Sequence, residues 1–181
     1  GMVKHWVQSN DYINFFRNNS INDIERAKAL LLDDSIEARG EMSAYRQFAG
    51  MDSVVLRRPD YTVAINMFSS RTANFEASHT ENRRGWHTAD GLMYLYNADI
   101  GQYSDDYWPT VNAYRLPGTT VDTLTRTPGA GGTRKSQYSW AGGTDMLGIY
   151  GVSGMELDGL VSSLTARKSW FMFDDEVVSL G

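Results

Sequence analysis

The segment YTVAINMF, residues 61–68, alternates so that Tyr61, Val63, Ile65 and Met67 fall on one side of an extended chain. A period of two places the apolar set on one face of a strand, and that face needs a second layer to bury it. Comparable short segments stand around it: SVVLRRP before it, then GLMYLYN, MLGIYGVSGMEL and SWFMFDDEVVSL, each bounded by polar or glycine-bearing connections. From about Glu41 onward the chain therefore predicts a succession of short strands, with no repeat at fixed period and no heptads. Strands that follow one another without intervening helices favour an antiparallel sandwich over a parallel α/β sheet.

The first forty or so residues carry a different period. Ile13 and Phe16 lie three apart after the candidate caps Ser9 and Asn10, and SINDIERAKALLLDD, residues 20–34, opens with Ser20 and Asp23 at capping-box spacing. Ile21, Ile24, Ala27 and Leu31 would then form an apolar stripe along the second of two short helices. The stripe needs a partner, either the β-domain that follows or the last layer of a larger helical domain. Gly1 ahead of Met2 is read as the remnant of an expression tag, on a chain expected to begin inside a longer protein.

A length of 181 residues with 41% hydrophobic content suffices for one well-buried core. The net charge of −5 and a pI near 5.1 argue against general nucleic-acid binding, which needs a concentrated basic face. No apolar run approaches the roughly eighteen residues of a membrane helix. With no cysteine, disulfides, thiolate metal sites and cysteine nucleophiles are excluded together. LPGTTVDTLTRTPGAGGTRKS, residues 116–136, reads as a long exposed loop or arm without regular structure. Its PGAGGTRKS resembles a phosphate loop only superficially, because Arg134 stands where the pattern requires a glycine before Lys135.

The densest chemistry lies in NFEASHTENRRGWHTADGLMYLYN, residues 74–97. Aromatic faces against the apolar sides of sugar rings, with Arg, Asn and Glu on hydroxyls and carboxylates, are how a glycan is held. Glu76, Glu81, Asn82, Arg83, Arg84 and Trp86 supply that combination; the same residue types also fit an aromatic core ringed by solvated ion pairs. His79 and His87 could ligate a metal, although their spacing fits no helical pair and HTADG is not a dedicated metal motif. Asp174, Asp175 and Glu176 could hold calcium or simply form a charged turn. No nucleophile elbow is present, GVSGM departing from G-x-S-x-G.

Four blocks in order, ARGEMSAYRQFAGMDSVVLRRPDYTVAINMFSSRTANFE, ENRRGWHTADGLMYLYN, YWPTVNAYRLPGTTVD and KSWFMFDDEVVSLG, closely resemble the central β-domain of the family 8 polysaccharide lyases. The resemblance runs from about Ala38 to the C-terminus. It implies a mainly β fold, an antiparallel β super-sandwich of galactose mutarotase-like type over residues 38–181, truncated here, with residues 1–37 as the final helices of an α/α-toroid. It further implies a lyase that cleaves acidic glycans by β-elimination through an Asn, a His and a Tyr of that toroid. Those three have no match in this chain, which is expected to be inactive alone.

On this resemblance Glu76 takes the position of a glutamate that supports the catalytic groups from the β-domain lip, and His79 stands where the family has an Asn three residues on. That departure leaves hyaluronate or chondroitin specificity open. His79 itself and Glu81, Asn82, Arg83 and Trp86, which continue the block, are the candidate substrate contacts, although Trp86 and Trp108 are assigned more readily to packing. The implied partners are an acidic polysaccharide and the helical domain of the same protein, with no nucleic acid and no membrane. No cofactor is implied beyond the calcium alternative, and the parent protein is expected to be secreted to the extracellular space. Exposed apolar faces would make the isolated piece self-associate. A catalytically silent carbohydrate-binding or structural sandwich is the alternative, and a mutarotase-like activity a remote third, since fold does not imply function.

Overall fold

The computed structural model describes residues 1–9, 19–78, 81–99 and 101–181. It resolves into two compact units, Gly1–Met42 and Ser43–Gly181.

In the first unit, α1 (Met2–Gln8) has no side-chain cap and no acidic residue in its first turn, so its seven residues carry little local signal and the sequence reading missed it. Lys4 fastens it by donating from Nζ to the Asp33 carbonyl at 2.7 Å, and His5 Nε2 lies 3.0 Å from the Glu41 carboxylate. Ser9, expected to open a helix, instead closes α1, its N–H donating to the Trp6 carbonyl at 3.2 Å. Asn10, Ile13 and Phe16 lie outside the described residues.

The second helix, α2 (Ile21–Leu32), starts where its cap predicts: Ser20 Oγ accepts the Asp23 N–H at 3.3 Å and donates to the Asp23 carboxylate at 2.7 Å. Only part of its apolar stripe is covered. Ala27 is buried and Leu31 half-buried, whereas Ile21 and Ile24 are 79% and 44% exposed.

The second unit is built from two four-stranded antiparallel sheets. The first runs β1 (Ala44–Phe48), β2 (Ser53–Arg57), β3 (Thr62–Asn66) and β4 (Leu92–Tyr96) in chain order. The second runs β5 (Ala141–Met146), β6 (Tyr150–Asp158), β7 (Thr165–Met172) and β8 (Val177–Leu180). Register makes the core. Tyr45 pairs with Leu56, Leu56 with Val63 and Val54 with Ile65, which keeps the apolar residues of β1–β3 on one face. Opposite them, Met155 and Leu157 of β6 and Trp170 and Met172 of β7 are fully buried, and all belong to one hydrophobic cluster. The predicted face Val63, Ile65, Met67 is buried as its alternation requires, with Tyr61 packed at its edge.

Two of the segments read from sequence as single strands are hairpins. MLGIYGVSGMEL turns at residues 147–149 between β5 and β6, and SWFMFDDEVVSL turns after β7, where the Phe173 N–H donates to the Glu176 carbonyl at 3.0 Å. Between β4 and β5 lies a long connection whose only helix among the described residues is the four-residue α3 (Tyr107–Thr110).

Residues 116–136 contain no strand or helix, as expected, but they are not a free arm. Leu116 is buried; Lys168 donates from Nζ to the Gly118 carbonyl at 2.6 Å and to Thr120 Oγ1 at 2.8 Å. Asp122 and Arg126 form a two-pronged ion pair, both contacts 2.7 Å, with both side chains largely buried. Backbone satisfaction, which sequence periodicity does not report, ties this loop down. No helix among the described residues is long and apolar enough to cross a membrane.

Candidate functional site

The polar stretch is clamped at both ends. Asn74 donates its N–H to the Arg134 carbonyl at 3.0 Å and Phe75 accepts from the Thr133 N–H at 2.7 Å, so residues 74–75 lie along the glycine-rich loop. Phe75, Trp86 and Ala113 form a second, smaller core, and the Trp86 ring meets Tyr114 with centroids 5.0 Å apart. Between these anchors the chain folds back on itself: Ser78 and Glu81 exchange backbone hydrogen bonds of 3.3 and 2.6 Å.

Asn82 holds the fold-back in place. It sits in the left-handed region at φ +48° and donates from Nδ2 to the Glu76 carbonyl at 2.8 Å. Its amide lies directly over Gly85, where an added Cβ would stand 2.7 Å from Asn82 Nδ2, so the turn depends on a residue without a side chain. Arg83 carries the next link: its carbonyl accepts the Gly129 N–H at 2.6 Å and its Nη2 reaches the Pro128 carbonyl at 3.5 Å.

Consequently Glu76, Glu81, Asn82, Arg83 and Arg84 are all displayed to solvent. Glu81, Asn82, Arg83 and Arg84 line one side of a cleft of about 790 Å³ whose other side carries Tyr94 and Trp108. The structure thus brings together four of the residues singled out from sequence. Glu76 is exposed and linked to the group through Asn82 but does not line the cleft, and His79 lies outside the described residues. Trp86, at 5% exposure, is a packing residue with no face open to a ligand in this cleft.

Trp108 reverses the sequence assignment to packing, being 44% exposed on the cleft wall. A Tyr-Trp pair inside an otherwise polar loop was the available signal. Tyr94 and Tyr96, two apart on β4, point to one face and stack with centroids 6.3 Å apart at 12°. Tyr103 packs its edge against both, at 5.5 and 5.2 Å, and against Tyr107 at 5.1 Å; Trp108 closes the group, 6.2 Å from Tyr94. Burial, aided by the neighbouring phenols, pushes the Tyr94 hydroxyl up to about 12, so it serves as a neutral hydrogen-bonding group at ordinary pH.

A second polar group lies beneath. His87, 2% exposed, places Nδ1 2.6 Å from Asp90 Oδ2, while its Nε2 has no partner among the described residues. Burial raises the Asp90 carboxyl, with His87, Arg126 and Lys168 opposing that shift. Asp90 faces a cavity of about 250 Å³ together with Arg126 and Arg134, away from the Tyr94–Trp108 wall. A histidine so enclosed cannot reach a polymer in the cleft, and the pair is structural.

His87 is therefore spoken for, and no group of three or more His, Cys, Asp or Glu among the described residues is placed to hold a metal. Asp174, Asp175 and Glu176 lie exposed at the β7–β8 turn, where Asp174 accepts Arg58, Tyr61 and Tyr150 hydrogen bonds. What the cleft offers chemically is recognition: aromatic faces, two guanidinium groups, two amides and one carboxylate.

The model of the polysaccharide lyase family 8 super-sandwich domain matches residues 43–181. The xanthan lyase of Bacillus sp. (strain GL1) is 47% identical over 180 residues, which is 99% of this chain and 19% of that protein. The hyaluronate lyase of Thermasporomyces composti is 40% identical over 185 residues, 100% of this chain and 24% of its own length. Among solved structures, Paenibacillus xanthan lyase superposes with a TM-score of 0.86 at 49% identity, covering 98% of this chain and 17% of that one. Streptomyces coelicolor A3 chondroitin AC lyase in complex with chondroitin sulphate gives 0.85 at 38% identity, covering 98% and 24%. The chain spans about a fifth of the length of these relatives.

Proposed function

The chain belongs to polysaccharide lyase family 8, and from that membership we propose that it forms the β-sandwich wall of the substrate cleft in a lyase that cuts acidic glycans by β-elimination. The observation that carries this reading is the match of 99% of the chain to xanthan lyase at 47% identity. The geometry agrees with it. A cleft with two guanidinium groups and an aromatic wall suits a polymer of sugars and carboxylates, and among the described residues its lining includes no buried acid–base pair.

In the reaction, neutralising the uronate carboxylate acidifies the adjacent C5–H. A base removes that proton, the electron pair forms the C4–C5 double bond, and the glycosidic C4–O bond breaks with a proton delivered to the leaving oxygen. The acid and base belong to a helical domain of the whole protein, of which α1 and α2 are the last helices. Glu76 supports those groups from the β side, and Glu81, Asn82 and Arg83 contact substrate. This chain alone does no chemistry. The whole protein acts outside the cell, where polymers too large to cross a membrane are found.

The test is the ultraviolet absorbance of the unsaturated product when the longer protein carrying this chain meets xanthan, hyaluronan and chondroitin. Absorbance growing with at least one polymer is expected; none with any of them would remove the lyase reading. That outcome would leave a catalytically silent carbohydrate-binding sandwich, which the cleft lining by itself also supports.

A further inference from the structure

We infer that the Tyr94–Trp108 wall together with Arg83 and Arg84 is a glycan-holding subsite that grips an acidic sugar strand in this chain by itself, without the groups that perform the chemistry. The inference rests on the reading that this cleft faces the polymer, and it assigns the holding to residues outside the Glu76 corner.

Three observations carry it. The first is exposure of aromatic surface in a prepared arrangement. Tyr94, Tyr96, Tyr103, Tyr107 and Trp108 brace one another through stacked and edge contacts of 5.0 to 6.3 Å. Tyr103 is pinned further, its hydroxyl accepting the Leu95 N–H at 3.0 Å. Rings already locked lose little side-chain freedom on binding, so Tyr94 and Trp108, the two that line the cleft, offer their surface at low entropic cost. The C–H faces of sugar rings pack on such surfaces.

The second is charge. The whole chain carries −5, yet this cleft is lined by two guanidinium groups and one carboxylate, Glu81. Arg84 has no ion-pair or hydrogen-bond partner among the described residues, and Arg83 spends only Nη2 on the Pro128 carbonyl. Free guanidinium forks match carboxylates. Asp105 and Asp106, just ahead of the Tyr-Trp pair, do not line the cleft, so the acidic group of a bound sugar belongs at the arginine side.

The third is size. About 790 Å³ lies within the roughly 300–1,000 Å³ of sites that take drug-sized ligands, which suits a short oligosaccharide segment rather than one ring. Asn82 and Glu81 are placed to exchange hydrogen bonds with its hydroxyls.

Affinity electrophoresis of the 181-residue chain through gels containing xanthan, hyaluronan, chondroitin sulphate, neutral dextran or DNA tests the inference. The expected result is retardation by at least one acidic glycan, none by dextran or DNA, and relief by salt. Trp108→Ala should weaken the interaction by about tenfold, and Arg84→Gln, at an exposed position with no hydrogen bond or ion pair among the described residues, by about fivefold. Trp108→Phe, which keeps a ring, should retain most of the affinity, so a folding defect in the alanine variant is recognisable. Retardation by no glycan, equal retardation by DNA, or binding unchanged in both Trp108→Ala and Arg84→Gln would each overturn it. The lyase reading fails separately. Product absorbance in the longer protein without binding by this chain sinks only the subsite, and binding without any product sinks only the lyase.

Discussion

Gly91 shows how one position can be set by its neighbours rather than by its own strand. It stands at φ +85°, and a Cβ there would lie 2.7 Å from both Lys168 Cε and Trp170 Cζ2. Gly91→Ala combines left-handed strain with overpacking against a buried tryptophan, and is expected to cost about 2–4 kcal/mol in chemical denaturation. A cost under about half a kcal/mol would mean the contact is soft. Asp122 gives a pH-dependent counterpart. The Arg126 hydrogen bond, with smaller help from Ser162 and the Leu124 N–H, holds its carboxyl well below the usual carboxylate range. A depressed folded-state value adds stability above the ordinary carboxylate value of 3.8, lost as pH falls from there through the depressed value. Melting temperature should therefore drop below about pH 3.8, and Asp122→Asn should flatten that drop while costing about 3 kcal/mol at neutral pH. An unchanged acid limb in the variant would place the acid sensitivity elsewhere.

At the level of elements, local signals and tertiary demands divide cleanly. The cap of α2 is local: removing it with Ser20→Ala should lower helix stability by about 1 kcal/mol, read as reduced helical circular dichroism on warming. The interior of β7 is tertiary. Its inward set, Lys168, Trp170 and Met172, is buried, and Trp170→Ala is expected to cost about 3–5 kcal/mol by emptying the middle of the sandwich. A denaturation midpoint close to the parent's would show that the two sheets do not depend on that ring. Strand β3 was legible because both its neighbours and its alternation agree. Strand β5, AGGTDM, was not, since it is mostly exposed and two of its residues are glycines. Its place follows from backbone pairing with β6, and backbone pairing leaves no mark on side-chain pattern.

Taken whole, the Ser43–Gly181 unit leaves apolar side chains uncovered on its second sheet and the adjoining turns, among them Leu147 at 82%, Leu180 at 56% and Phe173 at 44% exposure. Surfaces of this kind associate in water, and sedimentation velocity is expected to show an average mass that rises with protein concentration. A monomer at every concentration would show those residues too scattered to act together. The amino-acid sequence alone determined the strand-rich class, the second helix with its cap, and the family, because alternation, capping and ordered blocks of wording are properties of neighbouring residues. It also marked Glu81, Asn82 and Arg83 as a group. Only the tertiary structure decided that Trp86 is core while Trp108 faces the cleft, that residues 116–136 are fastened rather than free, and that five aromatics converge. Burial and convergence depend on which distant segments meet, and no window along the chain contains that information.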